Sequence, residues 1–533
     1  IMSLRREIIV KANSKENVYL LVGFGKSYEQ VVHMVQSYYT GLDVNHAFEM
    51  ATVLNNMRTS YSQLKGSQMR VYNTILKHIY QTASLSKARK AILEKNTMDQ
   101  TNLWKFGISG DLPIILVEID KMENALLLKE VLQAYEFYKS RAIYIDIVII
   151  NNENQENEPL LKKYISDLVN KIYYFNYFEN PSGNVYILSA SEVSEEEKYL
   201  LYTIARISLN SSKSQTLEQQ IQEMESELFA CVDNCRLPVL ATRETFPPKN
   251  LKFYNEFGGF DQEGNEYCVT NVNTPMPWIN VIANPSFGFI ISSTMSGFTY
   301  AYNSQTYKIT SWSNDIIADP PSEFILFNKQ RFVPTTARHG TGYSIFTALS
   351  HAFRINIKVF AALETQVKYY LIEIENITSL PQNISIDFIA KMVLGTTEEK
   401  TNRHLLPEWD EEENCFYFRN VYNNTFRDTR VFLSSSEKIV DYDEINPTNK
   451  RIEIEAHISE GETKRLAFMI GACKLQPAVF SRKIAEIDTE FQAVKQYWKK
   501  KLSVLKIQTP DTSFNYMMNT WFLYQTLASR LMA

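Results

Sequence analysis

A multidomain chain built on a large β-sandwich is predicted, with helical and small α/β segments before the sandwich and helices after it. Three observations predict this. Residues 236–475 carry many short strand-like runs with dense turn signals, among them Phe257-Gly258-Gly259, Asn284-Pro285 and Gly340-Thr341-Gly342. Residues 103–213 instead alternate β-branched runs with helical periodicity, the pattern of a small parallel sheet. At 533 residues, the chain is also too long for one core.

In chain order, residues 1–102 read as the end of a preceding β-domain plus a helical linker. Strands are expected over 1–25, with a turn at Asn13-Ser14-Lys15, and helix from 27 to about 95. In 103–213, "PIILVEI", "YIDIVII" and "VYILSA" are the strands, and 121–140, 158–172 and 193–208 the helices. "GISGDLP" has two glycines, precedes a strand and carries an acid, so it reads as a turn rather than a phosphate cradle. Residues 214–235 are a polar connecting helix, and 236–475 the sandwich. Residues 476–508 form a helical linker whose basic "YWKKKLSVLKI" is a solvated face.

A last helix occupies 509–533, started by Thr509-Pro510-Asp511. Phe514, Met518, Trp521 and Ala528 form one stripe, and Tyr516, Leu523, Leu527 and Leu531 another. A helix apolar nearly all round is expected to leave an exposed apolar face in this chain alone. "NVYLLVGFGKSYEQVVHMVQSYY" and "TKRLAFMIGACKLQPAVFSRKIAEI" share a strand–Gly–helix plan, which suggests a duplicated junction.

The net charge of −5 is spread without a basic stripe, which gives nucleic-acid binding no electrostatic support. No apolar run approaches the roughly 20 residues of a membrane span, no secretory signal core is present, and a cytoplasmic location is the default. The five cysteines are scattered, as are the seven histidines, so neither a disulfide framework nor a metal site is indicated. Neither Gly-x-Ser-x-Gly nor a Cys–His arrangement occurs. "EWDEEEN" reads as a solvated loop. The segment "GFTYAYNSQTYKITSWSNDIIADPP" gathers aromatics, amides, hydroxyls and two aspartates, the residue types that meet sugar rings and their hydroxyls.

Together with "NLWKFGISGDLPIILVEI", "RHGTGYSIF" and "NTWFLYQTLASRL", that segment resembles glycoside hydrolase family 94, formerly glycosyltransferase family 36. Within the family, the likeness is to cyclic β-1,2-glucan synthases and β-1,2-oligoglucan phosphorylases. The resemblance implies a β-supersandwich over 236–475, with 509–533 as the first helix of an (α/α)6 barrel whose remainder, with the family's acidic aspartate, lies beyond this chain. It implies no catalytic residue here and no cofactor, inorganic phosphate being the co-substrate of the complete enzyme. The partners it implies are β-glucan or an oligosaccharide, the barrel domain and a second copy in a homodimer. By the same resemblance, 303–315 is a loop reaching toward the barrel. Trp312, Asn314, Asp315, Asn303 and Arg338 are then substrate-binding residues. Gln305 and Lys308 stand where relatives have arginine, which weakens a phosphate role. His339 is as well explained by a turn hydrogen bond as by ligand contact. The expected function is therefore the non-catalytic portion of such an enzyme. A carbohydrate-binding or scaffold protein is the alternative.

Overall fold

The computed structural model describes residues 7–61, 64–81, 85–153, 160–175, 183–225, 237–242, 250–444, 446, 449–474 and 482–533. The chain divides into a unit of residues 1–74 and a unit of residues 75–533.

The first unit carries helices Tyr28–Ser37 and Gly41–Tyr61. The expected turn is present, with Asn13 at φ 58° and the Ser14 N–H donating to the Lys11 carbonyl at 3.1 Å. The expected strands are not: residues 7–25 form none, and Ile9, Val22 and Phe24 are exposed. β-Propensity makes a strand only where a neighbouring strand accepts its ladder, and this unit contains no strand among its described residues. The proposed duplication of a strand–Gly–helix junction therefore loses its first strand.

In the second unit, four parallel strands lie in the order Val185–Ser189, Asp146–Asn151, Ile114–Ile119, Ala205–Asn210. Helices Ala125–Lys139, Leu160–Phe175 and Glu195–Ile204 accompany them. The fourth strand falls where a helix to residue 208 was expected. Its period-2 burial, with Ala205, Ile207 and Leu209 buried, is the signal that marks it. "GISGDLP" is indeed a turn: Gly107 (φ 74°) ends a short 3-10 helix, and Gly110 (φ 79°) follows.

Two antiparallel sheets then pack face to face, one of ten strands and one of nine among the described residues. Phe287, Phe289, Ile355, Ile357, Phe388 and Phe468 are among the side chains that fill the space between them. Inside this apolar layer lies one fully satisfied polar knot. Glu323 Oε1 accepts from Thr299 (2.5 Å) and Thr310 (2.6 Å), and Oε2 accepts from Lys368 Nζ (2.8 Å) and the Tyr370 hydroxyl (2.6 Å). Burial alone would raise the Glu323 carboxyl, but the Lys368 charge and these donors hold it below its ordinary value.

Helix Ile484–Leu502 buries Ile487, Phe491, Val494, Trp498 and Leu502 against the outer face of the ten-stranded sheet. The last helix corrects the expectation of an unpartnered apolar rod. It runs Thr512–Tyr516, widens into a π-turn at Met517–Trp521 and continues as Phe522–Met532. The wide turn shifts the helical phase, so Trp521, Tyr524 and Ala528 are the residues that become buried. Trp521 Nε1 donates to the Gly264 carbonyl at 3.0 Å. The Tyr524 hydroxyl donates to the Val281 carbonyl (2.7 Å) and accepts from the Gly342 N–H (3.0 Å). Phe514, Phe522 and Leu527 remain exposed. Within the described residues, no helix is long and apolar enough to cross a membrane.

Candidate carbohydrate-binding surface

Strands Gly297–Ala301 and Lys308–Thr310 form a hairpin whose two ends carry different loops. This separates residues that the sequence placed in one loop. Asn303 lies in the turn 302–307, where its Oδ1 accepts from the Gln305 and Thr306 N–H groups, both at 2.9 Å. Trp312, Asn314 and Asp315 follow the second strand, at the opposite end of a five-residue strand about 13 Å long. Asn303 is thus a turn former. Lys308 is tied down as well, its Nζ donating to the Thr396 carbonyl at 3.1 Å.

Trp312 is half-buried, its ring 4.9 Å from that of Phe298, in a small cluster with Ile290, Tyr300 and Met532 of the last helix. With Asn314, Asp315, Asp319, Met276 and Ile279, it lines a cavity of 130 Å³. Asn314 sits at φ 51°, a left-handed conformation that asparagine tolerates, and its side chain makes no hydrogen bond among the described residues. Asp315 Oδ1 accepts from the Ile317 and Ala318 N–H groups, both at 2.9 Å, and the Ala318 and Ile317 bonds hold its carboxyl below the usual range. Its Oδ2 makes no hydrogen bond among the described residues. Asp319, at φ 40°, accepts from Ser292 (2.7 Å) and Thr294 (2.6 Å), which fixes the far end of the loop. The result is an aromatic edge beside an open amide and a half-committed carboxylate, a geometry suited to hydroxyl recognition. Met276 and Ile279 in the lining were not anticipated, although both are exposed apolar residues in or beside "NTPMPW".

Arg338 is elsewhere. It lies on strand Thr336–Gly340, 3.5 Å from Glu266, which also accepts from the Tyr343 hydroxyl at 2.6 Å. Glu266 and Tyr343 line a separate 330 Å³ cleft with Lys495 and Lys499. The neighbouring motif is a docking platform for the helices. A Cβ at Gly342 (φ 84°) would come within 2.3 Å of the Trp498 ring. His339 is buried, its Nδ1 2.9 Å from Ser344 Oγ, and burial pushes its pKa down to about 4. The stretches "RHGTGYS" and "NTWFLYQTLASRL" meet through Gly342 and Tyr524, the Gly342 N–H donating to the Tyr524 hydroxyl at 3.0 Å.

The fold is a supersandwich, and residues 265–444 match the family model described as glycosyl hydrolase 94, supersandwich domain. This bears out the resemblance read from the sequence. Among curated proteins, the chain is similar to the cyclic beta-(1,2)-glucan synthase NdvB of Rhizobium meliloti (strain 1021). The identity is 22% over 596 residues, covering 100% of this chain and 21% of that protein. It is also similar to the N,N'-diacetylchitobiose phosphorylase of Vibrio furnissii, at 20% identity over 51% of this chain and 40% of that protein. The chain thus spans about a fifth of the first relative and two fifths of the second. Among solved structures, a putative kojibiose phosphorylase from the human microbiome aligns over 50% of this chain and 38% of its own. There the identity is 9% and the TM-score 0.28, too slight a likeness to argue from.

Proposed function

We propose that this chain is the supersandwich-bearing, non-catalytic portion of a carbohydrate-active enzyme of the cyclic β-1,2-glucan synthase or phosphorylase type. In this reading, it binds β-glucan and supports the active site of an (α/α)6 barrel that continues from Phe522–Met532, with inorganic phosphate as co-substrate of the complete enzyme. The observation that carries the reading is the cavity lined by Trp312, which packs in one cluster with Met532 of the last helix, in a chain similar along its whole length to a glucan synthase. Trp312, Asn314 and Asp315 are its substrate-binding residues. Asn303 and Arg338 lie outside that cavity and are not assigned to it.

The test is titration of the chain with a β-1,2-glucan, wild type against Trp312→Ala, beside thermal melts. Binding on the order of millimolar is expected for this portion alone, about −4 kcal/mol. Trp312→Ala is expected to abolish it at a stability cost of about 1–3 kcal/mol, less than a fully buried tryptophan would show. Undiminished binding in the variant removes the loop from the site. Release of glucose 1-phosphate from sophoro-oligosaccharides and phosphate by the purified chain refutes the non-catalytic assignment. Glucan binding that persists with no barrel following in the reading frame favours the carbohydrate-binding or scaffold alternative.

A further inference from the structure

Helix Lys87–Lys95, strand Ala205–Asn210 and the turn Asn402–His404 meet around a cavity of 370 Å³. Five cations line it, Arg89, Arg206, Lys213, Arg403 and Lys450, and among the described residues no carboxylate does. Lys213 is matched by Glu223 at 3.1 Å. The three guanidiniums form no ion pair among the described residues and bond only to main-chain carbonyls. Arg89 donates to the carbonyls of Tyr202 (2.7 Å), Thr203 and Arg403 (3.1 Å), Arg206 to Glu399 (3.3 Å), and Arg403 to His78 (2.6 Å), Gln81 and Arg206 (3.4 Å). Among the described residues, Arg403 Nε is buried with no hydrogen-bond partner, as is Nδ1 of the adjoining His404.

Carbonyls satisfy N–H geometry but leave the charge uncompensated. Burial first, and then the charges of Arg206 and Arg89, push the Arg403 pKa downward; burial does the same to Lys450, to about 8. A guanidinium keeps its proton, so for the arginines this penalty stands as destabilisation that an anion would relieve.

We propose that this cavity is an anion site for a small molecule bearing a tetrahedral oxyanion, phosphate or a phosphate ester. Planar guanidiniums suit such oxyanions, and Ser86 and Ser208 are among the lining residues. The volume falls within the roughly 300–1,000 Å³ of small-molecule sites, which leaves room for a sugar ring beside the phosphate. The cavity shares no residue with the Trp312 cavity, so the assignment stands independently of the glucan reading.

Isothermal titration of the full chain with inorganic phosphate, and separately with glucose 6-phosphate, tests it at fixed ionic strength with chloride as the reference anion. Saturable binding is expected, weakened about tenfold or more by Arg206→Gln. That side chain makes one hydrogen bond among the described residues, so the fold is expected to tolerate the change. Ser208→Asp, at an exposed wall position, supplies a carboxylate from the protein itself. It is expected to raise the melting midpoint in phosphate-free buffer and to weaken phosphate binding. Tighter binding of the hexose phosphate assigns the ligand to a phosphorylated sugar, and tighter binding of phosphate assigns it to the free ion. No saturable binding of either probe, or binding unchanged in both variants, overturns the proposal.

Discussion

Replacing Tyr524 with phenylalanine removes one of the hydroxyls that seat the last helix. The hydroxyl is fully enclosed, accepting from the Gly342 N–H at 3.0 Å and directing its proton to the Val281 carbonyl at 2.7 Å and Asn280 Oδ1 at 3.0 Å. The ring stays in the variant, with its edge contact to Trp498 at 4.8 Å, so no large cavity opens. What is lost is the partner of one donor, the Gly342 N–H, and of two acceptors, the Val281 carbonyl and Asn280 Oδ1. An unsatisfied buried group costs about 1–3 kcal/mol. Urea unfolding followed by tryptophan fluorescence reads the effect, because Trp498 and Trp521 border the site. The midpoint is expected to fall with the slope unchanged. Removing everything after Lys506 is expected to lower it further, since Trp521, Tyr524 and Ala528 go as well. A Tyr524→Phe midpoint equal to wild type, with the truncated chain equally stable, would refute the account of the helix as part of this fold.

Glu323→Gln and Lys368→Met, each alone, are expected to cost about 3–5 kcal/mol by leaving one charge buried without its partner. The double variant should recover part of that loss in the same unfolding assay; strict additivity would count against a coupled pair. His339 gives a pH signature. Its folded-state pKa of about 4 lies below the unfolded value near 6.5, so the unfolded chain binds the proton first as pH falls. Its contribution is fully present above pH ~6.5 and is lost progressively toward pH ~4, up to about 3 kcal/mol. His339→Gln is expected to flatten that part of the stability profile, and an unchanged profile would place the titration elsewhere.

Strands Ile114–Ile119 and Asp146–Asn151 were legible because both of their faces are buried, which writes them as unbroken β-branched runs. Strand Ala205–Asn210 was harder to see, since it joins its helix with no loop and only its alternation betrays it. The apolar stripes of the last helix were legible, but their phase was not. A π-turn depends on what the helix is packed against, and periodicity at 3.6 residues assumes there is none. The site was half legible. Residue types around Trp312 drew attention to the right turn, whereas joining it to Asn303 required ignoring that 308–310 is itself a strand. Glu323 and Lys368 are far apart in sequence and gave no local sign of meeting, because only the stacking of two sheets brings them together.

The strand Thr463–Lys474 joins the two blocks of the ten-stranded sheet, pairing with Val367–Asn376 on one side and Thr429–Ser435 on the other. On a ribosome working at ~5–20 residues per second, both of those strands emerge well before their shared neighbour does. Until it arrives, each presents a bare hydrogen-bonding edge, flanked by side chains destined for the interior. The sandwich is therefore closed by one of its last strands, through contacts distant in sequence, and such topologies fold slowly. Aggregation of nascent or refolding chains should thus begin at these two waiting edges, and a chaperone holding the region 367–435 would act during the interval when it is most exposed.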